Sequence, residues 1–208
     1  EPEPMGTNPP SGVVLYYWLA GEQSTNSDIA LEISDGNGDV IRTFTANPEE
    51  SDKSDEDNLG DDDRKLATGA GLNRFVWDMR YASAEKFKGL VLWNSSLKGA
   101  RAIPGQYRAT LKVGDKQQAV DFEIKADPRL PVSEEEYQAQ YEFLSGLNRK
   151  LTETHRAVTR IREAKSQLAT IRKRIGDDER FAGLAQSARE LEESLGGIEE
   201  SLYQTRME

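Results

Sequence analysis

The sequence predicts an α+β chain of more than one domain: a β-sandwich first, then a long antiparallel, coiled-coil-like helical hairpin. Three observations carry this. Apolar and polar residues alternate with period 2 in several stretches between Ile29 and Ile124. Pro128 and Pro131 then close the β region, since a proline pair cannot continue a ladder. From Tyr137 onward the apolar spacing changes to three and four, the period of a helix.

The stretch that organises the β part is Gly71 to Tyr81. Phe75, Trp77, Met79 and Tyr81 share one side of the pattern; Arg74, Asp78 and Arg80 take the other. This reads as the central strand, one face in the core and one wet. Residues 1–12 are rich in Pro and Gly and read as a linker. Val13 to Leu19 is continuously apolar and short, which predicts a strand covered on both faces. Ile29, Leu31 and Ile33 alternate with Ala30, Glu32 and Ser34, and Asp35-Gly36-Asn37-Gly38 then turns the chain into Val40 to Thr45. Asp-Gly and Asn-Gly pairs tolerate positive φ, so a β-hairpin is expected. Asp35, Asn37 and Asp39 also have the alternate spacing of a calcium loop. Val40 and Ala46 stand where that loop needs Gly and Glu, so the plain turn is preferred.

Residues 46–64 form an acidic insertion, with nine Asp/Glu against Lys53 and Arg64, a net of −7. Its Asp61, Asp62 and Asp63 have the oxygen ligands a hard cation takes, but like charges so close repel, and a solvated insertion is preferred. Residues 82–103 make a long connection holding Phe87, Leu90 and Trp93. Trp93 is the one candidate ligand-binding residue, as a stacking platform for a sugar ring; plugging the end of the sandwich is the commoner role for such a residue. Pro104-Gly105 opens a second hairpin, with Tyr107, Ala109, Leu111 and Val113 before Gly114-Asp115 and Val120, Phe122 and Ile124 after it. The sandwich therefore covers residues 13–131.

Residues 132–208 are expected to be the helical hairpin. Ser133 and Glu136 form a capping box. Tyr141, Leu144, Leu147, Leu151, Val158, Ile161, Leu168, Ile171 and Ile175 then follow one stripe, interrupted by Thr154 and Lys165. As one helix this is about 60 Å long. Gly176-Asp177-Asp178 ends it. Phe181, Leu184, Ala188, Leu191, Leu195, Ile198 and Leu202 form a heptad seam on the second helix, which is expected to lie antiparallel on the first. The part of the first helix before Leu147 outreaches the second and must lean on something else, so an interface is expected. The chain begins without Met and stops soon after the seam, so an excised or processed fragment is expected, truncated at its C-terminal end.

Chemistry is sparse in the pattern. Net charge is −10, which argues against nucleic acid as a partner. There is no cysteine, hence no disulfide and no thiolate site, and no apolar run of membrane-spanning length. His155 is the only histidine; it sits mid-helix between Glu153 and Arg156 with no cysteine to pair with it, so a His-based triad or metal centre is hardly buildable within the chain. Asp78 and Asp121 lie on strands, where salt bridges to Arg74, Arg80 or Arg108 are their ordinary explanation. The sequence thus assigns no catalytic residue, no metal and no cofactor.

Three stretches carry a resemblance: Ile29-Ala-Leu-Glu-Ile-Ser-Asp-Gly-Asn-Gly-Asp-Val-Ile-Arg-Thr-Phe44, Gly71-Leu-Asn-Arg-Phe-Val-Trp-Asp78 and Pro104-Gly-Gln-Tyr-Arg-Ala-Thr-Leu111. They resemble a FlgD-like immunoglobulin or fibronectin type III-like domain. The order Asn8-Pro-Pro-Ser-Gly12, Leu90-Val-Leu-Trp93, Arg101-Ala-Ile-Pro-Gly105, Asp127-Pro-Arg129 and Thr152-Glu-Thr-His155 resembles the C-terminal region of large bacterial proteins. Those proteins carry an N-terminal propeller of BNR or sortilin-like repeats and are labelled glycosyl hydrolases. The resemblance implies an immunoglobulin-like sandwich, an exported (periplasmic or extracellular) parent protein and an active site on the propeller. It carries no catalytic residue over to this chain, and the acidic insertion departs from it.

The functional expectation is a non-catalytic accessory fragment that packs against the parent propeller or forms a homodimer through the helical hairpin. The alternatives are a carbohydrate-binding module using Trp93 and the 82–103 loop, or a hydrolase fragment with its own carboxylate pair.

Overall fold

The computed structural model describes residues 6, 8–23, 28–46, 65–92, 96–176 and 178–204. The acidic insertion beyond Ala46, and Trp93, lie outside the described residues. A β-sheet region of six strands is followed by a helical segment, so the chain is α+β. It divides into two compact units, Glu1–Ser83 with Asn94–Asn148, and Ala84–Trp93 with Arg149–Glu208.

The first unit holds β1 (Val13–Leu19), β2 (Ile29–Ser34), β3 (Val40–Thr45), β4 (Gly71–Trp77), β5 (Gly105–Val113) and β6 (Lys116–Ile124). β1 and β4 form a two-stranded sheet, and the other four follow the order β3-β2-β5-β6. Every pairing is antiparallel. The β2–β3 connection is the expected turn: the Asp35 carboxylate accepts the amides of Asn37 (2.9 Å) and Asp39 (3.0 Å). This is the local bonding that makes Asp a turn residue.

Both sheets feed one buried cluster. Ile29, Leu31 and Ile33 of β2 enter it with Phe44 of β3, Tyr17 and Leu19 of β1, Phe75 and Trp77 of β4, and Tyr107 and Ala109 of β5. Trp77 is fully buried, its ring 5.8 Å from Tyr107 and 6.1 Å from Phe122 at tilted and edge-on angles. These are the offset geometries aromatic quadrupoles favour. Its indole N–H donates to the Arg80 carbonyl at 3.0 Å, so the burial leaves no orphan donor.

The organising strand is shorter and less central than its pattern predicts. It ends at Trp77, and Met79 has φ of 59°, a left-handed residue that breaks the alternation. Tyr81 consequently leaves the strand, and its ring meets Tyr141 at 4.8 Å. Among the described residues β4 pairs only with β1. Residues 79 and 81 instead bond residues 100 and 102 through the backbone. Gly99 is needed there, since a Cβ at this position would stand 2.2 Å from the Tyr81 carbonyl oxygen.

The run Val13–Leu19 also departs from expectation. Tyr17 and Leu19 are buried, but Tyr16 and Trp18 on the other face are 63% and 70% exposed. One face of β1 is covered rather than two.

Helix α1 (Glu134–Ile175) opens on the expected capping box, with Ser133 N–H donating to Glu136 (2.8 Å) and Glu136 N–H donating to the Ser133 hydroxyl (3.2 Å). Its early part lies within the first unit, where Asn148 donates to the Leu97 carbonyl at 3.3 Å. It ends at Gly176, whose φ of 58° suits a left-handed cap. A 3-10 turn (Glu179–Phe181), capped by Asp178, leads into α2 (Ala182–Leu202).

Within the second unit, Arg162 and Lys165 pair with Glu199, and Arg172 pairs with Glu192. Partner numbers rise on one helix as they fall on the other, so α1 and α2 run in opposite directions. Burial follows the predicted seam only in part: Val158, Ile161 and Ala188 belong to it, and Glu199 does not. Val158 and Ile161 of α1 are buried, and so are Ala188 and Glu199 of α2. Phe181, Leu184, Leu191, Ile198 and Leu202 are 40–55% exposed. The heptad on α2 exists, but most of it faces water.

Candidate functional site

A set of interlocked polar and aromatic side chains lies in the second unit, where residues 84–92 meet the helices. Phe87 is its centre. The His155 ring approaches Phe87 edge-on at 5.2 Å, Tyr203 does so at 5.0 Å, and the Arg162 guanidinium lies 4.6 Å above the ring. Such cation–aromatic contacts are worth about 0.5–2 kcal/mol, more as water is excluded. α1 supplies His155 and Arg162 from the same face, seven residues apart, and Tyr203 follows the last residue of α2.

The polar groups around Phe87 are partnered. His155 Nδ1 donates to the Glu85 carbonyl, and Arg156 holds the Glu85 carboxylate. The Glu85 amide donates to Thr152 at 3.2 Å. Arg162 donates to Glu199 (2.7 Å) and to the Lys88 carbonyl (2.9 Å). Lys165 donates to the other Glu199 oxygen at 3.0 Å. The Tyr203 hydroxyl accepts the Val91 amide at 3.0 Å and donates to its carbonyl at 3.4 Å.

Glu199 is the one buried acid of this network, at 5% exposure. Burial pushes its carboxyl up, but hydrogen bonds from Arg162 and Lys165 and their charges outweigh this and hold it below the usual range. The hydrogen bond from Arg156, with its charge, likewise lowers Glu85 against a smaller opposing effect of burial. Both acids are therefore ionised at neutral pH and act as acceptors, the state of a structural ion pair rather than of a proton donor.

Elsewhere the candidate residues are spread out. Asp121 is held by Arg108 at 2.6 and 3.1 Å, as the strand pattern implies, while Asp78 accepts the Arg80 amide at 3.2 Å. Among the described residues no group of three or more His, Asp or Glu is placed to hold a metal ion. Among them too, no helix is long and apolar enough to cross a membrane.

Sequence reasoning singled out His155 and noted that Lys165 interrupts an apolar stripe. It missed the partner, Glu199, and the role of Phe87 and Tyr203. A cation inside an apolar stripe was the available signal, since a cation turned toward a neighbouring helix is matched by an acid opposite it.

Among the described residues, exposed apolar side chains include two patterned sets. One is the outer side of α2, with Leu184, Leu191 and Ile198. The other is on the two-stranded sheet, where Trp18 stands in register with Leu72, and Tyr16 with Arg74. No family model, no curated protein and no solved structure matches the chain.

Proposed function

We propose that this chain is a non-catalytic accessory and interaction fragment of a larger exported propeller protein of the kind labelled glycosyl hydrolase. The first unit acts as an immunoglobulin-like, FlgD-like sandwich, and the helices supply the contact surface. The observation that carries this reading is the exposed apolar face of α2, because soluble monomers rarely leave a patterned apolar stripe open. Support for the immunoglobulin-like reading comes from Tyr107. It sits near the start of β5, and its hydroxyl donates at 2.8 Å to the carbonyl of Ile103, four residues upstream. A tyrosine in that place is a recurring feature of such sandwiches. Sedimentation of the chain alone, and mixed with the propeller part of the parent, tests the proposal. Association in either experiment is expected; a monomer that ignores the propeller refutes it.

Glycan binding is the second reading. The exposed Trp18 and Tyr16 beside Arg74 favour it by offering flat apolar rings next to a donor. Binding of soluble oligosaccharides that disappears in Trp18→Ala, or in Trp93→Ala, would promote it over the first.

A further inference from the structure

We infer that the outer face of α2 is a self-complementary seam on which a second copy of this chain packs antiparallel. The inference rests on reading the helices as an interaction surface and names the occupant and its register.

Leu184, Ser187, Leu191, Ser194, Ile198 and Ser201 recur at steps of 3, 4, 3, 4 and 3. This is a second heptad stripe, and all six residues are exposed. It shares Leu184, Leu191 and Ile198 with the stripe that includes Ala188. One stripe position is always large and apolar and the other always serine. In a parallel pair, like faces like, so layers of two large residues alternate with layers of two serines, and the helices cannot approach evenly. In an antiparallel pair the two positions mix in every layer. A two-fold axis between Glu192 and Glu193 sets Leu191 beside Ser194 of the second copy, Ser187 beside Ile198, and Leu184 beside Ser201. Each layer then holds one large and one small side chain, the uniform fit that interdigitating helices need. A surface that is its own complement under a two-fold axis is what an isologous dimer requires.

Charge points the same way. The positions flanking this stripe are Ala188, Leu195 and Leu202 on one side, and Gly183, Glu190 and Gly197 on the other. Only Glu190 is charged, so the net −10 of the chain is kept off the contact. Gly183 and Gly197 have no neighbour within 4 Å of a Cβ position, leaving room for a second backbone. The two carboxylates nearest the α1 side, Glu192 and Glu199, are already neutralised by Arg172, Arg162 and Lys165. At 21 residues α2 is about 31 Å long, which gives an interface at the small end of the specific range and a dimer that dissociates on dilution.

The test is sedimentation equilibrium of the full chain over a wide concentration range. Reversible dimerisation is expected, weakened at least tenfold by Ser194→Glu, a substitution at an exposed position whose folding is checked by far-UV circular dichroism. Register is read by cross-linking, with no native cysteine to interfere. Leu191→Cys combined with Ser194→Cys should form an intermolecular disulfide; Ser187→Cys alone should not, because the antiparallel register holds its two copies far apart. A strictly monomeric chain overturns the inference, and if that chain still binds the propeller the broader reading survives. An undiminished Ser194→Glu dimer, or cross-linking through Ser187→Cys, overturns the seam or its direction.

Discussion

The strongest single prediction concerns Glu199, the buried acid bridging two cations of α1. Glu199→Ala removes charge-assisted hydrogen bonds of 2.7 Å and 3.0 Å. A bond to a charged group is worth about 1.5–3 kcal/mol, and stripping one partner from a fully buried pair costs about 3–5 kcal/mol. Here the side chains of Arg162 and Lys165 are each 36% exposed, so water resolvates part of what they lose. The expected loss is about 2–3 kcal/mol for Glu199→Ala, and about 1–2 kcal/mol for Glu199→Gln, which keeps the shape and one acceptor. Urea unfolding followed by the helical circular dichroism signal measures it. A double-mutant cycle with Arg162→Met should return a coupling of about 1–2 kcal/mol. A loss below about 0.5 kcal/mol for Glu199→Ala would refute the view that this bridge joins the helices. The pH dependence has a definite sign. The folded carboxyl lies below its ordinary value, so near pH 4 the unfolded chain binds more protons. The stabilisation is complete above the unfolded value of about 4.3 and drains away as pH falls through the folded one. Glu85, lowered by Arg156, adds to the same loss. In Glu199→Gln this acid-side slope should shrink.

Other outcomes follow from single contacts. Trp77→Ala opens a cavity between the two sheets at a fully buried site and should cost about 3–5 kcal/mol, with loss of near-UV ellipticity. Gly99→Ala would place a Cβ 2.2 Å and 2.4 Å from the carbonyl oxygens of Tyr81 and Ala82, so backbone must move; a loss of about 1–3 kcal/mol in thermal unfolding is expected. Ser133→Ala breaks the capping box and should cost about 1 kcal/mol, with faster amide exchange in the first turn of α1.

Much of the β region was legible because its cues are local. The bounds of β1 and β2 match the apolar patterns, and Asp35 and Ser133 bond their own neighbours as turn and cap chemistry dictates. What the pattern could not see was pairing partners and cover. From Trp77 to Tyr81 apolar and polar residues alternate, yet Met79 adopts a left-handed φ where residues 79–81 bond residues 100–102, some twenty positions away. The continuous apolar run of β1 signals that both faces like apolar surroundings, but sequence cannot say whether this chain supplies them. The Phe87 cluster was illegible for the same reason: Phe87, His155 and Tyr203 are far apart in sequence and carry no shared motif.

The seam on α2 shows the limit most clearly. Spacings of three and four identify a stripe, but neighbouring stripes on one helix differ by a single residue, about 100° of rotation. Which stripe turns inward is decided by what lies opposite. α1 presents Arg162, Lys165 and Arg172 to α2, and long cations there select acids at 192 and 199. Those positions follow Leu191 and Ile198 directly, so holding Glu192 and Glu199 inward rolls the leucines and isoleucine outward. An apolar seam joining α1 to α2 would have hidden these residues; an ionic one leaves them exposed. The exposed stripe is thus a consequence of how the two helices are joined.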